Sequence, residues 1–142
     1  MRISTTQILG TELAALSAAA GETQAAVIAA GAANQVVDFI DNVDEGAGIF
    51  KAGMVIYEFV LQGATAATAD EIYAGVIYLK FDGTGAALAL PTVEWKVDMS
   101  PAVTFNATLA ANQVQLRASS SAGTDINFAA IRRSYVTAIA HV

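Results

Sequence analysis

Few side chains in this sequence have the chemistry of a catalytic or metal-binding group. The one histidine is His141, and there is no cysteine among the 142 residues. A histidine so near the end of a chain is usually solvated, and zinc sites need thiolates or several imidazoles. The sequence therefore predicts no catalytic triad, no metal site and no bound cofactor.

An acidic stretch offers carboxylates that could bind calcium. Asp38, Asp41, Asp44 and Glu45 lie close together, around a segment with the composition of a loop. Val43, however, stands where a calcium loop of the helix-loop-helix type needs an oxygen ligand. We interpret the stretch as an acidic loop without a metal.

A second set of carboxylates could cleave a glycosidic bond. That reaction uses two carboxyl groups on either side of the scissile bond, and Glu58, Glu94 and Asp98 are the candidates. A hydrogen-bonded buried carboxylate, or an ion pair with Lys80 or Lys96, is the simpler explanation. With no catalytic set to name, the sequence predicts a protein that is not an enzyme.

Composition narrows the partners that the chain can have. Hydrophobic residues make up 55% of the chain and charged residues 14%, against roughly 25% charged in an average globular domain. The net charge is −6, and Arg132-Arg133 is the only basic doublet, so a phosphate backbone has no cluster of cations to bind. The first ten residues lack the apolar run of a signal peptide or membrane helix. We expect a protein that binds neither nucleic acid nor membranes and that buries apolar surface by assembling with other subunits.

The first 34 residues differ from the rest and are predicted to form an N-terminal arm, residues 1–34. Residues 8–33 are rich in alanine, which favours a helix in two pieces divided at Gly21. Apolar residues recur at alternating spacings of four and three, as in a helix that packs on a copy of itself or on a partner. The candidate anchor residues are Leu9, Leu13, Leu16 and Val27. The alternative is a flexible arm that becomes ordered only on contact.

From residue 35 the apolar period changes to two, and turn sequences become frequent. Strand candidates follow at 36–40, 53–63, 72–81, 92–97, 103–109, 113–119 and from 126 onward. Seven short strands separated by turns favour an antiparallel, jelly-roll-like β-sandwich over residues 35–142. Trp95 falls on the apolar face of its strand, so we predict that it packs in the core.

Two of the predicted strands, 53–62 and 72–81, are apolar on both faces. One face of each would line the sandwich core, and the other needs a second cover. The N-terminal helix could supply it, but the low charge of the chain favours a neighbouring subunit. The residues predicted to lie in the core or in an oligomer interface are Val55, Tyr57, Phe59, Ile77 and Leu79.

Three stretches resemble small β-sandwich domains of tailed-phage virion proteins, such as head fibres, capsid decoration proteins and tail-fibre tips. QVVDFID at 35–41 leads into KAGMVIYEFVLQG, which is similar to the first strand pair of those domains. EIYAGVIYLKFDGTGAAL at 71–88 resembles their strand that ends in a DGT turn. Residues 103–133 resemble their final pattern, with Asn112, Val114 and Leu116 in one strand and Ile131-Arg132 near the end of the last.

The resemblance implies a trimeric, non-enzymatic component of a virion. Its partners would be its own copies and other virion proteins such as the major capsid protein. Without repeats or an extended shaft, the chain fits a compact decoration or head-fibre protein better than a long fibre. The alternative is a glycan- or receptor-binding module at a tail-fibre tip. Such a module should expose aromatic side chains on a polar sheet face, and the faces predicted at 92–98, 103–109 and 113–119 expose none.

Overall fold

A computed structural model describes residues 21–41, 44–46, 49–63, 71–81, 91–110 and 113–140. All regular structure in these residues is β. The described residues accordingly contain no helix that is long and apolar enough to span a membrane. The strands are β1 (Glu22–Ile28), β2 (Gln35–Asp41), β3 (Asp44–Gly46), β4 (Ile49–Gln62), β5 (Ile72–Phe81), β6 (Thr92–Trp95), β7 (Val103–Ala110), β8 (Gln113–Ser120) and β9 (Ile126–Ala140).

The strands form where β-branched and aromatic residues alternate with smaller or polar ones, as the period-two pattern predicts. They make two antiparallel sheets of unequal size. The larger has six strands in the order β1-β9-β4-β5-β6, with β3 paired to β4, and the smaller has three in the order β2-β8-β7. The first strand thus pairs with the first half of the last, and the second with the last but one.

The core lies between the two sheets. The larger sheet contributes alternate residues of β4, β5 and β9, and the smaller contributes alternate residues of β7 and β8. At its centre the ring of Phe59 contacts those of Trp95, Phe105 and Phe128, with ring centroids 5.3, 5.2 and 6.1 Å away. Trp95 is half-buried against this core, whereas Val97 is exposed because β6 ends at Trp95.

The prediction of a helix over the second half of the N-terminal arm is wrong. Residues 22–28 form β1, which pairs with β9 along its whole length, from Glu22 opposite Arg132 to Ile28 opposite Ile126. The hydrogen bonds of this ladder pair the backbone groups that a helix would pair internally. The pairing also buries Ile28. Tertiary contact therefore overrides the helix propensity of alanine. Gly21 and Gly31, on either side of this segment, have positive φ angles, and this backbone conformation would interrupt a helix.

The described part of the sandwich therefore begins at β1 and not at residue 35. Leu9, Leu13 and Leu16 lie outside the described residues, so their role as an anchor stays a prediction. Val27, the fourth candidate anchor residue, is an exposed residue of β1.

Candidate functional site

The sandwich has two outer faces, and they differ in chemistry. The outer face of the six-stranded sheet, here the apolar face, is built from the residues of each strand that alternate with core residues. The outer face of the three-stranded sheet, here the polar face, is built in the same way from β2, β7 and β8. Neither face needs to expose reactive groups to bind a partner, so both are candidate functional surfaces.

Large hydrophobic side chains lie on the apolar face, where Met54 is opposite Tyr135 and Asn127 and Gln62 separate others. Six of the ten exposed large hydrophobic residues among the described ones lie there. They are Val27, Met54, Val60, Ile72, Ile131 and Tyr135. Monomeric proteins rarely leave large apolar patches open to water.

A depression crosses the apolar face at right angles to the strands. Its floor includes Ala129 opposite Val60 and Val60 opposite Ala74, and Ala25, opposite Ala129, continues this row of mostly small residues onto β1 outside the lining. Larger side chains, including Ile131 in the next row, form its wall. The space has a volume of about 630 Å³. It is large enough to receive several side chains of a partner.

The charges near this depression are paired within the chain. Arg133 contacts Glu58 at 2.5 Å, and Lys96 contacts Glu94 at 3.0 Å. Glu58 and Glu94, two of the candidates for glycoside hydrolysis, are thus each held in an ion pair by a neighbouring cation. Asp98, the third candidate, lies beyond the end of β6.

The polar face carries a continuous chain of hydrogen bonds along β8. Gln113 donates to Asp41 at 2.7 Å, and Gln115 donates to Gln113 at 3.0 Å. Arg117 then donates to the side-chain oxygen of Gln115 at 2.6 Å and to the carbonyl of Asn34 at 3.3 Å. These bonds hold long polar side chains flat against the sheet. The result is an ordered surface of amide and guanidinium groups.

An aromatic side chain lies on this same face, contrary to the expectation from the sequence. Phe39 of β2 is opposite Gln115, and 44% of its surface is exposed. The sequence pattern missed it because the residues of β2 and β8 that pair are 72 or more positions apart, and the bulge between Val36 and Asp38 sets which residues face outward. Phe39 therefore gives the polar face an exposed aromatic side chain, which none of the three polar strand faces predicted from the sequence contains.

Asp38 belongs to a buried ionic network and not to a calcium loop. Its carboxylate accepts hydrogen bonds from the Tyr57 hydroxyl at 2.8 Å and from Arg132 Nη1 at 2.9 Å. Arg132 also contacts Glu22 at 2.5 Å, while its Nε is buried without a hydrogen-bond partner. Burial, reinforced by the negative charge of Asp38, raises the pKa of Tyr57 well above 10.0, so the hydroxyl stays protonated and donates. This network joins β1, β2, β4 and β9 at one end of the core.

The other predicted site residues are distributed as follows. Val55, Tyr57, Phe59, Ile77 and Leu79 are all buried in the core. Within the acidic stretch, Asp41 accepts from Gln113, and the side chains of Asp44 and Glu45 lie outside the described ones. The described residues contain no group of three or more carboxylate, histidine or cysteine side chains that could hold a metal. His141 lies outside the described residues.

Comparison with known proteins finds structural likeness without a sequence family. No protein-family model and no curated protein matches the chain. The fold is similar to part of the tailspike protein of Acinetobacter phage vB_ApiP_P1, with a TM-score of 0.45 and 12% identity over 82% of this chain. It is similar also to tailspike gp49 of Acinetobacter baumannii bacteriophage Fri1, a capsular polysaccharide depolymerase, with a TM-score of 0.32 and 14% identity over 82% of this chain. A third is the tailspike of A. baumannii phage AM24, with a TM-score of 0.32 and 11% identity over 87% of this chain.

This chain spans 22%, 19% and 27% of the lengths of those three tailspikes. The likeness is to phage virion proteins in general and not to capsid decoration or head-fibre proteins in particular. The prediction that excluded enzymes is wrong, because one of these neighbours is described as a capsular polysaccharide depolymerase.

Proposed function

We propose that this chain is a self-assembling structural domain of a phage virion protein, with the apolar face turned toward its own copies and the polar face turned outward. The observation that carries the proposal is the difference between the two outer faces of the sandwich. The resemblance of residues 35–133 to virion β-sandwiches supports the phage origin. Residues 1–20 would attach the domain to another virion protein, such as a major capsid protein.

Assembly follows from the composition of the exposed surface. The core uses the inward residues of both sheets, yet large hydrophobic side chains remain exposed on the apolar face. Burying such a face releases about 25 cal/mol for each Å² of apolar surface removed from water. The polar face gains little from burial because its amides already hydrogen-bond to one another. The sandwich therefore has one face suited to contact and one suited to solvent.

We expect the full chain to be a homotrimer in solution, since cyclic assembly can turn the apolar face of every copy toward one axis. Light scattering at several concentrations should give a mass of about 44 kDa, three times the 14.6 kDa of one chain. A mass of 14.6 kDa at high concentration would contradict self-assembly.

Electron microscopy of native phage particles, labelled with an antibody to this chain, tests the proposed location. Labelling of the capsid surface supports a decoration or head-fibre protein, and labelling of the tail tip supports a fibre or spike. Particles that carry no label although the chain is present in the infected lysate would contradict a virion role.

A second candidate function is binding of surface glycans, and Phe39 favours it. Sugar sites commonly combine an aromatic ring, on which the apolar face of a sugar stacks, with nearby amide and charged groups that bind hydroxyls. On the polar face Phe39 is opposite Gln115 and near Asp41, and Arg117 lies further along β8. A cavity of about 410 Å³ lies beside Phe39, and Asp41 and Arg132 also line it.

Replacing Phe39 with alanine should weaken binding to a responsive polysaccharide at least about tenfold, the effect of losing roughly 1.4 kcal/mol of stacking energy. Binding to a panel of immobilised bacterial surface polysaccharides measures it. Val97→Ala is the control, because Val97 is also exposed but lies outside the polar face. Equal binding by the Phe39 variant and the control would remove the polar face as a glycan site.

A further inference from the structure

We propose that the depression across the apolar face is the contact site for a second copy of this chain, which inserts side chains of its own apolar face. This inference rests on the proposed self-assembly and names the surface that performs it. The occupant is argued from the charge and the shape of the face.

Charge favours a second copy over a charged partner. Near the depression the cations Arg133 and Lys96 are already paired with Glu58 and Glu94. A polyanion or an anionic lipid surface would have to displace those carboxylates to reach the cations. The whole chain has a net charge of −6, so two copies repel each other least where the nearby charges are already paired, as they are around the depression.

Shape also fits a second copy. The row from Ala25 to Ala74 is low because it holds mostly alanine, and the neighbouring rows are higher because they hold Ile131 and Ile72. One face therefore presents both a groove and the ridges that could fill it. Interfaces between identical subunits typically combine such complementary packing with an apolar centre.

The first 20 residues of the same chain are the competing occupant. They precede Gly21, where a Cβ would come within 2.6 Å of Ile131 Cγ2. The chain thus enters β1 beside the apolar face, so the test has to distinguish a cover from the same chain from a second copy. A cover from the same chain persists at any dilution, whereas a cover from a second copy is lost when the copies separate.

The absence of cysteine from the chain allows a direct test with single introduced thiols. Val60→Cys places the thiol at the centre of the apolar face, and Phe39→Cys places the matched control on the polar face. The native side chains are 43% and 44% exposed, and both lie on strands. The reaction rate with a maleimide is measured across the concentration range in which light scattering shows assembly and dissociation.

In the assembled state the Val60→Cys thiol should react at least about tenfold more slowly than the Phe39→Cys thiol, as for a site exposed only on opening. On dilution to monomers the two rates should converge. As a second measurement, Val60→Lys should dissociate the assembly while Phe39→Lys leaves it intact, with folding of each variant checked by circular dichroism.

Three outcomes would overturn the inference or its basis. If the Val60→Cys and Phe39→Cys thiols react at equal rates in chains that still assemble, the contact lies elsewhere and the proposed self-assembly is not contradicted. Slow reaction of Val60→Cys even in the monomer would mean that residues 1–20 of the same chain cover the face. A native chain that stays monomeric at every concentration would contradict the proposed self-assembly itself.

Discussion

Replacing Phe59 with alanine should lower the free energy of unfolding by about 3–5 kcal/mol, the usual cost of removing a large buried aromatic ring. Phe59 lies on β4 and is almost completely buried. It contacts Trp95 and Phe128 of its own sheet and Phe105 of the opposite sheet. Truncation removes a ring that contacts the three others at short distances, so the cavity forms where the two sheets meet and cannot close by moving one side chain.

Urea denaturation at a fixed protein concentration measures this loss, because assembly makes apparent stability depend on concentration. Val97→Ala, at an exposed position, should change stability by no more than about 0.5 kcal/mol. A loss below about 1 kcal/mol for Phe59→Ala would mean that the aromatic cluster is not the centre of the core.

The neighbourhood of Phe59 also explains a glycine in the middle of β5. Gly75 lies opposite Trp95 on β6 and beneath the ring of Phe59. A Cβ at this position would overlap the Glu94 carbonyl oxygen and approach the Phe59 ring to 3.1 Å. Glycine is thus required by the close approach of β6 and the aromatic ring, in spite of its low strand propensity.

Replacing Asp38 with alanine should destabilise the fold by about 3–5 kcal/mol, because it leaves a charge buried without its partner. Only 15% of the Arg132 side chain is exposed, and arginine cannot lose its proton to escape the cost of burial. The Tyr57 hydroxyl loses its acceptor at the same time. Glu22, which also contacts Arg132, is more than half exposed and compensates only in part.

The double variant Asp38→Leu with Arg132→Met tests whether the stability lost in Asp38→Ala comes from the missing ion pair or from the buried charge of Arg132 left without a partner. Apolar side chains in place of a buried ion pair are often tolerated, so the double variant should be more stable than Asp38→Ala. Glu94→Gln is the surface control, since its partner Lys96 is well exposed and such pairs contribute at most about 1 kcal/mol. If Asp38→Ala costs no more than this control, the network does not stabilise the fold.

Alternation along single strands was enough to predict most of the sandwich. Strands at 72–81, 103–109 and 113–119 agree with β5, β7 and β8 to within about a residue, and the strand at 53–62 ends where β4 ends but begins four residues later than Ile49. The agreement arises because one buried face imposes a period of two on any strand. The double apolar character of β4 and β5 likewise predicted a second apolar surface on the larger sheet. The residues predicted to lie in the core or in an oligomer interface, such as Val55 and Tyr57, are core residues. Alternation left the two possibilities open, since it shows that a strand has two apolar faces without showing which one turns inward.

Only the tertiary structure decided three features that matter for function. Residues 22–28 are a strand because β9 offers a ladder for them, although their composition also suits a helix. Asp38 and Arg132 form an ion pair although 94 positions separate them, and Phe39 joins the polar face only because β2 pairs with β8 in a bulged register. In each case the deciding partner is far away in the sequence, so periodicity and propensity, which act over neighbouring residues, carry no information about it. The sequence by itself determined most strands from residue 35 onward and the apolar character of their faces, while the pairing of distant strands determined that residues 22–28 form a strand and which residues share a face.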